Sequence, residues 1–487
     1  MRKFGRVALI LSIILFKSGP VFSAECNTTD MPEELYQLIK DDKIDKAVSL
    51  ARAAYDENKN DKQAAMVLAR VYINATLQSG MNIDLEQLGF NEGESGSKSV
   101  TVDMLKKATR NSYTVNPDYY NVTDQFITET VSRWPESKSF YYCLTKIHFY
   151  SRDHDKFLES LSKTAEFQKN NEKEAVDFLI SYGTKFVKRR DYRKAADVYS
   201  TLLKTFPSSV PLLSSLGVTY IKRGKTEKAV TYFNKAHLID SDDVIVIGNI
   251  AEASMLMGDF ERAESFLLKK AKLSPDRPEI YFDLAMNAMH KGPGSSLRYW
   301  NKYFKINEKH PDNEAWVNNA REIQKAAQNK PGDLDLWHVI ANQMIQVKVP
   351  KFAIPILTYI KKNHPYDAEV EFSMAHAYSV GENTDLEKQA LLRTLELAEH
   401  PKNQFEVDEN LLYYNISRSF YVLDEHETAL DYLENISSDA ENAANADYLH
   451  GLIYRDRGDL KMAKKYFQSC IEKAGDSSIG QYCRGQL

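Results

Sequence analysis

Small and apolar side chains recur along the chain with a period of about 34 residues, and each period has the pattern of two helices joined by a turn. The clearest period begins at Val176. Its pattern is a small residue, an aromatic or apolar residue, and then an alanine early in the second helix, and it is repeated one and two periods later. The matching positions are Gly183, Phe186, Ala195, Tyr199 and Pro207, then Gly217, Tyr220, Ala229 and Phe233, then Ala251, Ala263, Leu267 and Pro275. The pattern predicts an all-α chain built from repeated helical hairpins.

The same register continues towards the C-terminus and is present more loosely near the N-terminus. Small residues let two helices approach closely, and prolines end the second helix of a unit. Because a single hairpin cannot bury its own apolar face, neighbouring units are expected to stack. The further positions in register are Trp337, Ala341, Ala353, Leu357 and Pro365, then Tyr413, Phe420, Ala429 and Leu433, then Gly451, Tyr454, Ala463, Phe467 and Cys470, and more loosely Ala47, Ala51, Ala69 and Tyr72.

This register resembles the tetratricopeptide repeat (TPR) family, whose pattern is a small residue and an aromatic in helix A, an alanine early in helix B and a proline at the end. The resemblance implies a right-handed α-α superhelix. It divides the chain into degenerate N-terminal repeats (28–77), a TPR array (136–311), further TPR-like repeats (312–398), and C-terminal repeats with a tail (399–487).

Residues 78–135 lack the register and predict an irregular insertion. Residues 89–97 have the composition of a flexible loop, and residues 111–124 are rich in Tyr and Asn. Two interpretations stay open at this point. The insertion packs on the neighbouring repeats, or it contacts a partner.

Residues 1–24 have the pattern of a secretory signal, with a basic start, an apolar run and small residues near Ser23 and Ala24. The apolar run, residues 7–16, is shorter than the roughly 20 residues that span a bilayer. We therefore expect an exported protein, in a bacterial periplasm in preference to the extracellular medium. An uncleaved signal anchor is the alternative, because Lys17 and Phe22 fit the cleavage region poorly. No later segment is long and apolar enough to cross a membrane.

Length and charge limit the choice of partners. A chain of 487 residues exceeds the size of one compact core, which fits a repeat array. The formal net charge is −5. Since the signal segment contains four basic residues and no acidic ones, its removal leaves 59 basic against 68 acidic residues, a net charge of −9. This mild acidity argues against nucleic acid or an anionic membrane surface as the main partner.

Cysteine usage permits disulfides in an exported chain. Cys470 and Cys483 flank a turn and are the candidate pair. The alternative is that Cys470 is a small core residue, since it occupies a repeat position. The spacing of the four cysteines does not fit a zinc site.

The sequence contains no recognisable catalytic constellation: no nucleophile elbow, no HExxH helix and no phosphate-binding glycine loop. Residues 152–155 and 424–427 are the densest clusters of His and acidic residues, and both fall in turns, where solvated polar residues are expected. We therefore predict no enzyme activity, no cofactor and no metal.

The family resemblance implies that a protein or peptide partner binds the face formed by the A helices. The predicted groove residues are Ile180, Thr184, Lys188, Val218, Met255, Phe282, Met286 and Met289. The later half of this stripe is apolar and rich in Met, a side chain that adapts to irregular partners. The alternative is that these Met residues pack against the neighbouring repeat.

Three functions follow from these features. The first is a non-catalytic scaffold or adaptor of the cell envelope, within a secretion, pilus or polysaccharide-export assembly. The second is an envelope enzyme that acts on glycan or cell-wall polymer, and the third is a structural protein that self-associates. A repeat array does not itself distinguish them, because fold does not determine function.

Overall fold

The computed structural model describes residues 31–78, 114–151, 153–309, 314–439 and 441–487, and most of these residues are helical. The predicted signal segment, residues 1–24, lies outside the described residues. The described residues fall into two compact units, 31–212 and 213–487. The all-α architecture of repeated hairpins is confirmed.

The N-terminal unit consists of consecutive antiparallel helices that pack in pairs. The alanine-rich N-terminal segment forms two helices, α2 (Ile44–Glu57) and α3 (Lys62–Thr76), where the repeat register places them. The helices are α1 (Glu33–Lys40), α2 (Ile44–Glu57), α3 (Lys62–Thr76), α4 (Pro117–Arg133), α5 (Lys138–Tyr150), α6 (His154–Phe167), α7 (Glu172–Lys188) and α8 (Tyr192–Thr205), with a 3-10 turn at Lys169–Asn171.

The C-terminal part of the predicted irregular insertion is a regular helix, which corrects the prediction for residues 117–133. Helix α4 begins where Asn116 accepts the N–H of Asp118 and Pro117 occupies the first turn. It packs on α3, and an antiparallel pair of two-residue strands, β1 (Leu77–Gln78) and β2 (Thr114–Val115), joins the ends of the two helices. Helices α3 and α4 thus form one hairpin. The repeat register is not visible in the sequence there, because the connection between the two helices is long.

The C-terminal unit begins within α9 (Val210–Lys222), the helix that contains the boundary between the units. Its helices are α9 (Val210–Lys222), α10 (Thr226–Ile239), α11 (Val244–Leu256), α12 (Phe260–Leu273), α13 (Pro278–Ala288), α14 (Leu297–Asn307), α15 (Glu314–Asn329), α16 (Leu334–Gln346), α17 (Pro350–Asn363), α18 (Ala368–Val380), α19 (Thr384–Ala398), α20 (Glu409–Val422), α21 (His426–Leu433), α22 (Ala443–Asp456), α23 (Leu460–Ala474) and α24 (Ser478–Arg484), with 3-10 turns at Met289–Lys291 and Pro293–Ser296.

Most turns between the two helices of a hairpin share one backbone device. A single residue takes a positive φ and ends helix A, and in several hairpins the next residue is an Asp whose carboxylate accepts an N–H of helix B. The positive-φ residues of these turns are Asp42, Arg190, Gly224, Gly258, Lys348, Glu382, Asp424 and Gly458. This device sets the sharp reversal that the repeat requires.

The small residue of helix A lies directly against the large residue of helix B. A Cβ atom added at Gly217 would lie 2.4 Å from Cε1 of Phe233, and one at Gly451 would lie 2.4 Å from Cε1 of Phe467. Both rings are buried. The small residue of the repeat register therefore meets a packing requirement: because the glycine has no side chain, a ring from the paired helix fills the space.

Candidate partner-binding surfaces

The apolar half of the predicted groove does not line an open surface. Met255, Phe282, Met286 and Met289 are only 1%, 5%, 0% and 1% exposed. All four belong to the main hydrophobic core of the C-terminal unit. Their assignment as partner-contacting residues is therefore corrected, because no partner reaches them in this structure.

A helix of the chain itself covers these residues. Helix α17 packs on α11, on α13 and on the turn Met289–Lys291. The rings of Phe352 on α17 and Phe282 on α13 have centroids 5.2 Å apart. Helix α17 thus covers the A-helix face of these middle repeats, and the Met side chains on that face pack in the protein core.

A charged contact accompanies this apolar packing. The Lys351 ammonium on α17 lies 3.2 Å from a Glu252 carboxylate oxygen on α11 and 3.8 Å from an Asp283 carboxylate oxygen on α13. The positive charge of Lys351 holds the pKa of Glu252 below its ordinary value, whereas burial raises the pKa of Asp283. Burial alone would lower the pKa of Lys351, but attraction to Asp283 and Glu252 outweighs it and raises that pKa.

The remaining predicted groove residues are accessible. In the N-terminal unit, Ile180 and Thr184 are half-buried and Lys188 is exposed. The Thr184 hydroxyl donates to the Ile180 carbonyl at 3.2 Å. In the C-terminal unit, Val218 is 37% exposed. These four side chains stay available to a partner.

The A helices of the last two repeats, α20 and α22, present a second accessible surface, which was not predicted from the sequence. We call it the tyrosine–arginine surface; it consists of Tyr414, Arg418, Tyr421 and Tyr448. All four residues are half-buried. Tyr414 and Tyr421 also pack against the hydrophobic core through part of their rings. The surface therefore combines a fixed aromatic base with exposed polar atoms.

The two helices that carry this surface, α20 and α22, pack against each other. Burial is the main cause of the raised pKa of Tyr414, and Tyr448 contributes to it. Burial and a hydrogen bond to Asp456 raise the pKa of Tyr421 to about 12, and Tyr448 contributes there too. The phenol of Tyr448 on α22 thus contributes to the electrostatic environment of two tyrosines of α20.

Arg418 connects this surface to α18 and α19. Its guanidinium donates to the Ser379 hydroxyl at 3.0 Å and forms an ion pair with Glu387. Burial raises the pKa of Glu387, and the charge of Arg418 opposes that rise. The Arg418 side chain is 40% exposed, whereas that of Glu387 is only 8% exposed. The guanidinium is therefore held by buried partners on one side and is accessible to a partner on the other.

A signal for this surface is present in the sequence. Tyr414 and Tyr448 are one repeat period apart, and in their repeats they occupy the position that Phe282 occupies in its own. Applying the A-helix rule to the C-terminal repeats would therefore have found them. The rule cannot show which repeats are covered, because that depends on the packing of α17, a helix distant in sequence.

The clusters of His and acidic residues in the turns have structural partners. His154 lies 3.2 Å from an Asp197 oxygen, Glu425 pairs with Lys388 at 2.9 Å, and Glu427 pairs with Arg457 at 2.8 Å. Among the described residues, no group of three His, Cys, Asp or Glu side chains converges as metal ligands do. Within the same residues, no helix combines the length and apolarity needed to span a bilayer.

The chain terminus is cross-linked. Cys470 on α23 and Cys483 on α24 form a disulfide, and both are fully buried in a small apolar cluster with Phe467. The two interpretations of Cys470 therefore combine, since it is both a core residue and a disulfide partner.

Family models agree with this architecture at two places. A model described as tetratricopeptide repeat matches residues 183–243, and a second with the same description matches residues 445–473. The first segment spans the end of α7 and helices α8 to α10, and the second lies in the hairpin of α22 and α23; both contain the small-residue positions described above. The chain is a tetratricopeptide-repeat protein. In this family, helical hairpins of this kind serve protein–protein interaction.

Individual relatives of this TPR protein are distant. Anaphase-promoting complex subunit 7 of Arabidopsis thaliana is 24% identical over 119 residues, which cover 24% of this chain and 21% of that subunit. The match thus spans about a fifth of the relative's length.

Solved structures of similar fold include two TPR proteins. One is a TPR protein from Parabacteroides merdae ATCC 43184, 13% identical, covering 63% of this chain and 96% of that one, with a TM-score of 0.25. The other is YrrB, described as a TPR protein with an unusual peptide-binding site, 15% identical, covering 40% of this chain and 97% of that one, with a TM-score of 0.31. At these scores the superpositions do not indicate where a partner binds.

Proposed function

We propose that this TPR protein is a non-catalytic scaffold that holds a partner protein or peptide on its tyrosine–arginine surface. The observation behind the proposal is the contrast between two sets of A helices. In the middle repeats the groove positions are buried under α17, whereas Tyr414, Arg418 and Tyr448 remain half-exposed on a rigid base. Tyr and Arg, together with Trp, are enriched among the residues that dominate binding energy at protein interfaces.

The chemistry of the surface favours a peptide or protein segment. Tyrosine offers a large contact area at low cost in side-chain entropy, and a fixed guanidinium selects carboxylate or carbonyl oxygens. The residues predicted from sequence that remain accessible extend the proposal within each unit separately: Ile180, Thr184 and Lys188 in the N-terminal unit, and Val218 in the C-terminal unit. The acidic net charge favours a protein partner over nucleic acid.

The proposed setting is the cell envelope, with the protein exported to the periplasm and taking part in a secretion, pilus or polysaccharide-export assembly. Two features support this setting: the signal-like pattern of residues 1–24, and the Cys470–Cys483 disulfide, which belongs in an oxidising compartment. Fractionation of cells that express the full chain, with mass spectrometry of its N-terminus, tests this. Intact protein in the cytoplasm with free thiols at both positions would contradict the setting.

The binding function is tested by capture from envelope extracts. The purified chain is compared with a Tyr414→Ala/Tyr448→Ala variant and with a Tyr366→Ala control, which removes a 37% exposed tyrosine that stacks on His400. Wild type and control should retain the same partner, and the double variant should lose it while keeping its helical circular dichroism. Equal retention by all three proteins would contradict the proposal.

Self-association is a second candidate function, favoured by exposed apolar side chains around the turn between α10 and α11. Leu238 is 85% exposed and Ile239 is 48% exposed, which is unusual for large apolar residues near each other. Sedimentation equilibrium tests it. A concentration-dependent dimer that Leu238→Glu converts to a monomer would support self-association, and a monomer at all concentrations would exclude it.

A further inference from the structure

The C-terminal end of helix α7 concentrates positive charge on an aromatic floor. The Lys185 ammonium lies 4.9 Å from the ring centroid of Tyr182 and 5.3 Å from that of Phe149. The Arg189 guanidinium lies 5.6 Å from the centroid of the same Phe149 ring. Both residues, Phe149 and Tyr182, are buried. Two cations therefore lie over the same buried ring, that of Phe149.

Two other cations of this unit that lie over aromatic rings, Lys194 and Lys156, differ from Lys185 and Arg189 because each also pairs with a carboxylate. Lys194 lies over the ring of Phe186 and also pairs with Asp191 at 3.6 Å. Lys156 lies over the ring of Tyr120 and also pairs with Asp124 at 3.2 Å. Among the residues that the structure describes, no carboxylate forms such a pair with Lys185 or Arg189. Their aromatic contacts therefore lack the anion that accompanies the other two.

The helix dipole explains only part of this arrangement. Basic residues in the last turn of a helix interact favourably with its C-terminal carbonyl groups, and Lys185 and Lys188 lie in that turn. Lys188 is exposed, however, whereas Lys185 is half-buried among rings. Burial, followed by the like charges of Arg189 and Lys188, lowers the pKa of Lys185.

A fourth cation approaches from the adjacent helix. Lys146 on α5 has its pKa lowered to about 8 by burial and by the charge of Lys185. Lys146 is half-buried, as Lys185 is. Cations placed together where water is partly excluded are arranged to receive negative charge.

We propose that Lys185, Lys188 and Arg189, with Lys146 beside them, bind the side-chain carboxylates of an acidic protein segment. The guanidinium of Arg189 offers paired N–H groups that match the two oxygens of a carboxylate. The ammonium of Lys185 supplies a second charge above the aromatic floor, where an ionic hydrogen bond is stronger than in bulk water. This site involves other residues than the tyrosine–arginine surface and does not depend on it.

The experiment measures fluorescence anisotropy of labelled peptides with the full folded chain at low and physiological salt. The probes are a short glutamate-rich peptide and the peptide in which every Glu is replaced by Gln. The test variant is Lys185→Met/Arg189→Gln, in which Met keeps the aliphatic packing over the rings. The matched control is Lys173→Gln, which removes an exposed charge from the first turn of the same helix.

The proposal expects the glutamate peptide to bind wild type and the Lys173 variant equally, and the double variant at least about tenfold more weakly, a loss of one ionic hydrogen bond or more. The glutamine peptide should not bind. Equal binding by the double variant would overturn the assignment, as would no binding to wild type. Tighter binding of polygalacturonate than of the peptide would overturn the assignment to a protein segment and identify an anionic glycan as the ligand. Tyr414→Ala/Tyr448→Ala should leave peptide binding unchanged, so the two proposals fail independently.

Discussion

The Nζ atom of Lys351 lies 3.2 Å from Oε2 of Glu252, although 99 residues separate them in sequence. The contact joins α17 to α11, and the same ammonium reaches Asp283 on α13. Apolar side chains pack beneath it, including the Phe352–Phe282 pair. A charged contact and an apolar one thus fix the helix that fills the middle repeats.

Replacing Lys351 by Met should destabilise the fold, because two partly desolvated carboxylates would lose their shared cation. Breaking a fully buried pair costs about 3–5 kcal/mol, and the 18–36% exposure of these side chains reduces our expectation to about 1–3 kcal/mol. Urea denaturation measures the loss. In a double-mutant cycle, Glu252→Gln should recover part of it, whereas additive losses would show that the two groups do not interact.

Gly451→Ala should cost about 1–3 kcal/mol of unfolding free energy, since the new methyl group would meet the Phe467 ring at 2.4 Å. Gly332→Ala is the matched control, because a Cβ at Gly332 has nothing within 4 Å. That control should stay within about 0.5 kcal/mol of wild type. Thermal and urea unfolding check both. A neutral Gly451→Ala would mean that the ring yields easily and that the small-residue position is not a packing constraint.

Removing the Cys470–Cys483 cross-link should destabilise the C-terminal helices by about 2–4 kcal/mol, as the sequence separation of 13 residues closes a loop of ordinary size. The variant is Cys470→Ala/Cys483→Ala, compared with wild type under non-reducing conditions. Hydrogen exchange of residues 460–487 should rise, with little change in the N-terminal unit. Non-reducing peptide mapping of the purified protein that finds both thiols free would contradict the premise.

Acidification below about pH 6.5 should lower stability in part through His450. This ring is buried and stacks on Tyr466 at 4.3 Å, and burial lowers its pKa, although the Ala446 carbonyl, Asp447 and Glu434 oppose the shift. The unfolded chain therefore binds the proton more tightly, so the free energy of unfolding falls as the pH drops through the ordinary histidine range. Urea midpoints near neutral and mildly acidic pH should differ less for His450→Gln than for wild type. An equal pH response would assign the effect to other groups.

Local packing rules were predictable from the sequence, and distant packing was not. The register of Gly183, Gly217 and Gly451 specifies which helices pair, because each small residue admits a specific ring of the next helix. The burial of Met286 depends on α17, which lies more than one repeat away in sequence. The repeat periodicity does not predict that α17 packs there. Helix α4 was missed for a related reason, since a long connection separates it from α3.

The central claim is that a partner binds the tyrosine–arginine surface, and site-specific photo-crosslinking in cells tests it most directly. A photoreactive phenylalanine analogue replaces Tyr448, and a second strain has it at the exposed Lys464 of helix α23 as a control. The account predicts a discrete adduct with one envelope protein from position 448, none from position 464, and loss of the adduct with Arg418→Gln. Adducts from 464 alone, or none from 448 in cells with stable protein, would contradict it.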